Sequence, residues 1–343
     1  MGADEVSEQD HAFTNDGDLI EPLRRMGLLK AGARACLTPL TGGVSSDIYL
    51  VEAEERRFCV KRALPRLKVA ALWEAPVERN AAEAAWMRAV ARWLPRAAPR
   101  VLGEDAKAGL FAMDYLAPED HRLWKTQLLA GCVEPDFAAA VGRDLAVIHA
   151  RSAADPGVPA AFANDGTFEA IRIEPYLRAT GSAHPALAPR FEALARTTLS
   201  TKRALVHGDV SPKNILDGQL GPVFLDAECA WFGDPAFDVA FCLNHLLLKG
   251  ARTGADRTRY GAAFSALARA YLAGVDWESA DGLEVRAAAL LPALFLARVD
   301  GKSPVEYLTL DSERAAVRRA AAPLVADPPR RLMDVADAWT RAR

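Results

Sequence analysis

The most chemically loaded stretch of the chain is ALVHGDVSPKNILDGQLGPVFLDAE, residues 204–228. His207-Gly208-Asp209 ends an apolar run, Asn214 follows five positions later, and Asp226 closes a second apolar run. ILD and PVFLD read as two short strands joined by the turn GQLG, a hairpin signature. An antiparallel hairpin sets the first residue of one strand against the last of the other. Asn214 and Asp226 are therefore expected at one end of the ladder, close to Asp209. Two carboxylates and an amide oxygen form an all-oxygen set that suits a hard cation, and magnesium arriving with nucleotide phosphates is the natural occupant. Asp209 would then accept the proton of an attacking hydroxyl.

The flanking texture says what must hold these residues. Residues 1–18 are polar and aperiodic and read as a disordered tail. From Leu37 the pattern is β-like, with LTPLT, the glycine-containing GGVSS, DIYLVEA, the charged turn EERR and FCVKRAL. Ala81, Ala85, Trp86, Val90 and Trp93 then fall at helical spacing, and GLFAMDYLAPED reads as a strand running into a proline-ended connector. Further on, Phe137, Val141, Leu145 and Ile148 mark one face of a helix, and residues 156–189 read as an irregular connector with short helices. Beyond the island the chain is alanine-rich helix broken at Gly250, Gly274, Gly301 and Pro328-Pro329. The expected division is a small β-rich lobe over 19–117 and a larger, mainly helical lobe over 118–343, with a nucleotide between them.

Bulk properties exclude several classes. Net charge is −3, from 42 basic and 45 acidic residues, so no global field draws the chain to nucleic acid or to an anionic membrane surface. The five cysteines, Cys36, Cys59, Cys132, Cys229 and Cys242, are odd in number and show neither disulfide-framework nor zinc-site spacing. The acidic N-terminus lacks the pattern of a signal peptide, and no apolar run is long enough to span a bilayer. A reducing, cytoplasmic setting is expected.

The order Asp base, Asn, later metal-binding Asp resembles the catalytic segments of protein-kinase-like enzymes. HGD, then DAE, then GDPAFDVA (233–240) is similar to the aminoglycoside phosphotransferase and choline kinase family. HGDVSPKN stands where protein kinases carry an HRD motif, and DAE where they carry DFG. The resemblance covers about Leu37 to Leu248. It implies a two-lobed, α+β, protein-kinase-like fold and a small-molecule kinase using ATP or GTP with Mg2+. It places Asp209 as base and Asn214 and Asp226 on the metal. It assigns Lys61, in FCVKRA, to the nucleotide phosphates, held by a helical glutamate, Glu83 or its competitor Glu78. Ser45 and Ser46 would cap the β- and γ-phosphates, and Met113, Asp114, Tyr115 and Leu116 would be the hinge that meets the base. Asp238 resembles the family's buried aspartate beneath the catalytic loop, and His207 reads as hydrogen-bonded scaffold. The chain departs from the family at Ser211, commonly His, and at Lys213, commonly a small residue. Lys213 either faces solvent or meets the transferring phosphoryl or an anionic group on the acceptor. The region 290–310 mixes Arg298, Asp300, Lys302 and Glu306, unlike the acidic pockets that hold polycationic antibiotics. A metabolite acceptor, such as a sugar or amino alcohol, is expected. An antibiotic phosphotransferase is the alternative, and a non-catalytic nucleotide-binding scaffold the reading from another class.

Overall fold

The computed structural model describes residues 17–40, 46–54, 56–63 and 79–342. The chain divides into two compact units, one of Met1–Ala81 with Val101–Tyr115, the other of Ala82–Arg100 with Leu116–Arg343.

The first unit holds helix α1 (Gly17–Arg25) and strands β1 (Cys36–Leu40), β2 (Ser46–Ala53), β3 (Arg56–Ala63), β4 (Val101–Asp105) and β5 (Leu110–Asp114). They form one antiparallel sheet in the order β1-β2-β3-β5-β4. Alternation along β3 decides what each face carries. Phe58 and Val60 join Leu19 and Leu23 of α1, Val51 and Leu110 in one core. Cys59 and Lys61 therefore point to the other face. Lys61 lies between Ile48 of β2 and Phe111 of β5. The Asn80 amide donates to the carbonyl oxygens of Lys61 (3.2 Å) and Gly109 (2.9 Å), tying the helix start that follows to the sheet.

The helix α2 (Arg79–Trp93) belongs, from Ala82 on, to the second unit, whereas the sequence groups it with the sheet. The reason is its packing. Trp86 stands edge-on to His207, ring centres 4.9 Å apart, and to Phe224 at 6.4 Å. Three residues beyond the helix, the Arg96 guanidinium grips Asp144 through two hydrogen bonds of 2.6 and 2.7 Å.

The second unit continues with β6 (His121–Leu123), α3 (Trp124–Leu129), α4 (Pro135–Ala153), α5 (Val158–Ala161) and α6 (Asp165–Phe168). A π-helical segment, Glu169–Arg178, leads into α7 (Ala179–Ala183) and α8 (Ala188–Ser200). Four short strands follow: β7 (Ala204–Val206), β8 (Ile215–Gly218), β9 (Gly221–Phe224) and β10 (Trp231–Gly233). The remainder is α9 (Ala236–Lys249), α10 (Arg257–Leu272), α11 (Ala280–Asp300), α12 (Asp311–Ala326) and α13 (Leu332–Arg341). These helices end at the glycine and proline breaks read from the sequence. Strands β7 and β10 pair with each other, and β6-β8-β9 form a second small sheet.

Every residue of α9 is buried, so α9 is a central helix and not an amphipathic surface one. Helix α4 packs closely on α10 at Gly142, where an added Cβ would overlap the Leu267 carbonyl oxygen and lie 3.1 Å from the Tyr271 nitrogen. Backbone on the other side cannot yield cheaply. Gly142→Ala is therefore expected to cost about 1–3 kcal/mol by overpacking. A thermal melt would show it, and an unchanged midpoint would mean that the two helices separate freely.

Among the described residues no helix is long and apolar enough to cross a membrane. The five cysteines are free thiols, with Cys59, Cys229 and Cys242 buried.

Candidate active site

The loop after β7 is fixed by its backbone. Gly208 has φ +81°, and a Cβ there would sit 2.7 Å from the Cys229 Cβ, so only glycine fits both the left-handed conformation and the space. Asp238, in the first turn of α9 and fully buried, accepts from the backbone nitrogens of His207 (2.7 Å) and Gly208 (2.8 Å). Its Oδ2 also lies 3.3 Å from His149 Nε2, and the other nitrogen of that ring meets the Tyr271 hydroxyl at 2.8 Å. Charge-assisted bonds to two consecutive backbone donors are a strong restraint.

His207 Nδ1 accepts from the Asp209 nitrogen at 3.1 Å, and Nε2 lies 3.0 Å from the Leu225 carbonyl. Nδ1 as acceptor leaves Nε2 to carry the proton and donate. Burial lowers the imidazole pKa, although Asp238, Asp209 and Asp226 pull the other way. This neutral ring ties the loop to the end of the hairpin.

The Asp209 carboxylate is buried between two cations. Its Oδ2 accepts from Lys213 Nζ at 2.9 Å and pairs with Arg172 Nη2 at 3.1 Å. Burial raises its pKa, but Lys213 and Arg172 outweigh that and hold the carboxyl below its usual value. Arg172 also donates through Nε to the Gly208 carbonyl and through Nη1 to the Ile171 carbonyl (2.7 Å). It stands on the π-helical segment, 37 positions before Asp209. In sequence it lies in the irregular connector 156–189, with no pattern that marks it. The π-helical geometry, which recurs at functional sites, becomes visible only in three dimensions.

Lys213 is half-exposed. Its ammonium spans Asp209 and Asp226, 3.7 Å from the Asp226 Oδ2. Burial of the amine lowers its pKa, but the two carboxylates win and keep it charged.

The hairpin differs from the expected register by one residue. Ile215 pairs with Phe224, and the Leu225 nitrogen donates to the Asn214 carbonyl at 2.9 Å. Leu225, not Asp226, thus stands opposite Asn214. Asp226 comes one step later with φ +66°, a turn that carries the chain out of the ladder. Asn214 Nδ2 donates to the Asp209 carbonyl at 3.1 Å, which orients the amide and leaves Oδ1 without a hydrogen bond among the described residues. That oxygen and the Asp226 carboxylate suit a hard divalent cation. No cluster of three or more His, Cys, Asp or Glu side chains with metal-site geometry occurs among the described residues. A magnesium ion here would thus complete its shell with phosphate oxygens and water, as that ion usually does.

The residues expected to meet the nucleotide lie mostly in the first unit. Lys61 is buried on β3. Ser46 opens β2, with its buried Oγ lacking a hydrogen-bond partner among the described residues. Met113 and Asp114 end β5, paired with Cys59 and Phe58. Tyr115 carries the Arg57 guanidinium over its ring at 4.8 Å. Leu116 belongs to the second unit, as does Glu83, which is buried on α2. Ser45 and Glu78 lie outside the described residues.

A family model described as the phosphotransferase enzyme family, APH, matches residues 37–283. The chain belongs to the APH phosphotransferase family. The matched span runs from β1 into α11 and contains the whole Asp209–Asp238 constellation. A methylthioribose kinase from Pectobacterium carotovorum is 27% identical over 251 residues, which are 60% of this chain and 62% of that protein. This APH family chain therefore spans less than two thirds of the length of that curated relative. Among solved structures, a choline/ethanolamine kinase family protein from Mesorhizobium loti superposes with TM-score 0.51 at 16% identity, covering 94% of this chain and 99% of the other. An ethanolamine kinase from Plasmodium vivax gives 0.52 at 10% identity, covering 95% and 86%. Likeness at such low identity establishes the fold, which is α+β and protein-kinase-like.

Proposed function

We propose that this APH family member is a small-molecule kinase that moves the γ-phosphoryl of ATP or GTP onto an acceptor hydroxyl. The observation that carries it is the loop clamped by Asp238. Asp209, Asn214 and Asp226 converge there around Lys213, and Asp209 is held ionised.

Asp209 would accept the hydroxyl proton and aim the attacking oxygen. Its depressed pKa makes it a weak base in the resting loop, so orientation is its larger contribution until its cations move. Lys213 and Arg172 place positive charge where a transferring phosphoryl group spreads its negative charge. Magnesium, bound by Asn214 and Asp226, would supply charge neutralisation for the phosphates. Lys61, paired with Glu83, would bind the nucleotide phosphates, with Ser46 beside them and Met113–Leu116 at the base. Positioning and electrostatics then do most of the work.

The relatives named methylthioribose kinase support a sugar or a related alcohol as acceptor over an antibiotic. The test is a panel of hydroxyl-bearing metabolites and aminoglycosides, with ATP and with GTP, read as acceptor-stimulated nucleoside diphosphate release. Turnover on a metabolite, lost in Asp209→Asn, is the expected result. Nucleotide binding with no stimulation by any acceptor would favour the scaffold reading, and turnover confined to aminoglycosides the antibiotic one.

A further inference from the structure

One group of buried cations in the second unit is left unused by the chemistry above. His245 and Lys249 stand one turn apart on α9 and so share a face. Both engage Tyr307. The His245 Nδ1 lies 2.9 Å from the Tyr307 hydroxyl, and the Lys249 ammonium sits 4.1 Å above its ring centre. Lys249 is only 1% exposed and makes no ion pair among the described residues. From α11, Arg298, 7% exposed, donates to the Ser303 carbonyl (2.6 Å), the Ser303 hydroxyl (2.9 Å) and the Tyr176 hydroxyl (3.1 Å). It too has no carboxylate partner among the described residues.

The nearby acids are committed elsewhere. Asp300 binds Arg318 (2.6 Å) and His184 (2.8 Å), Glu174 faces Lys302 (3.4 Å), and Glu306 pairs with Lys125 (2.5 Å). Among the described residues, Lys249, Arg298 and Lys125 against Glu306 leave an excess of two positive charges while Lys249 is protonated. Two buried polar atoms in the cluster, His245 Nε2 and Arg298 Nε, have no hydrogen-bond partner among the described residues. With the Tyr307 hydroxyl donating to Nδ1, the His245 proton sits on Nε2 as an unanswered donor. Buried donors and unpaired cations are costly unless something answers them.

The cluster adjoins the catalytic loop. The Tyr176 ring lies under both the Arg298 guanidinium (5.6 Å) and that of Arg172 (5.8 Å), the partner of Asp209. Lys213, the other partner of Asp209, is among the charges that, after burial, Lys249 and Arg298, push His245 far down in pKa and keep it neutral.

We infer that the acceptor carries an oxyanion, a carboxylate or a phosphate, that seats against Lys249, Arg298 and His245 Nε2 while its hydroxyl meets Asp209. Guanidinium, ammonium and imidazole N–H donors together fit such a group. The same charges repel a polycationic aminoglycoside. This inference rests on the kinase reading and narrows its substrate class.

Burial pushes the Lys249 amine down to about 7. Glu306 on the 301–310 segment and Cys242 on α9 oppose that fall, while Arg298 on α11 and Lys125 on α3 add to it. The neutral His245 and Tyr307 complete its surroundings. The kcat/KM for an anionic acceptor accordingly falls as pH rises through about 7, because the free enzyme loses the Lys249 proton.

The test uses matched acceptors: a polyol, its carboxylic acid, its phosphomonoester and its amine. The acid or the phosphate member is expected to show at least about tenfold higher kcat/KM, and whichever leads identifies the oxyanion. Lys249→Met raises the KM of that acceptor about tenfold, a cost of ~1.4 kcal/mol, and leaves the nucleotide KM alone. Lys249→Arg keeps the preference and abolishes the limb near pH 7. Equal or better turnover of the polyol or amine overturns the inference and leaves the kinase reading standing. If no member turns over, the kinase reading is what suffers. Calorimetry with inorganic phosphate and with glycolate then decides the anion site: binding that Lys249→Met weakens supports it, and binding identical in both proteins overturns it. A last readout separates function from scaffold. Removing an unpaired buried amine should raise the melting temperature of the free protein at pH 6, whereas a structural lysine would lower it.

Discussion

With Asp209 as the proposed base, Asp209→Asn is expected to lower the phosphoryl-transfer rate by about 10²–10⁴-fold at saturating nucleotide, the range typical of a lost general base. The nucleotide KM stays within about twofold. The same change leaves Arg172 buried without its carboxylate, and breaking a buried ion pair costs about 3–5 kcal/mol. Rate and stability must therefore be read together, by turnover and by thermal melting. The double variant Arg172→Met, Asp209→Asn should recover part of the lost melting temperature while the rate stays low, since the two residues are coupled. Near-normal turnover of folded Asp209→Asn would remove Asp209 from the chemistry. The pH dependence has a definite sign. The folded pKa of Asp209 lies below its ordinary value of 3.8, so its ion pairs stabilise the fold fully above that value. That stability is lost as pH falls through the depressed pKa. Acid unfolding, and not activity between pH 6 and 8, reports this group.

Asp238→Ala is expected to have the largest effect on stability, although its side chain takes no part in the reaction. It deprives the His207 and Gly208 nitrogens of a shared charged acceptor, each such bond contributing about 1.5–3 kcal/mol. The summed loss of about 3–6 kcal/mol should lower the melting midpoint by roughly 10 °C in a protein of this size. Turnover of the fraction that remains folded should fall as well, because Gly208 needs that support to hold φ +81°. Asp238→Asn keeps one acceptor and should fall between the two. A variant that melts normally and turns over normally would mean the loop holds its shape without α9.

The contrast between Asp209 and Arg172 shows what the sequence can carry. Asp209, Asn214 and Asp226 lie within 18 residues, and local strand and turn rules bring them together. Arg172 reaches Asp209 only through a π-helical segment that no periodicity announces. The hairpin itself was legible, but its register was not: the turn is centred on Gln219-Leu220, which moves Asp226 one step past Asn214. Helix α2 shows the same limit. Its helical spacing was plain, but Trp86 gave no sign in sequence of its partner His207. Arg298 was visible among mixed charges at 290–310. That it has no carboxylate partner among the described residues emerges only once Asp300, Lys302 and Glu306 are seen to be paired.

The left-handed backbone at Asp226 sets the needs of the fold against those of the site. Among L-residues this conformation costs about 1–2 kcal/mol, with aspartate among the more tolerant types, while glycine adopts it freely. Glycine would also remove the carboxylate that lies in the electrostatic reach of Asp209. A population selected only for staying folded would thus drift toward glycine at position 226, and one selected for turnover would not. Scoring every substitution there under both regimes should show opposite rankings for aspartate and glycine.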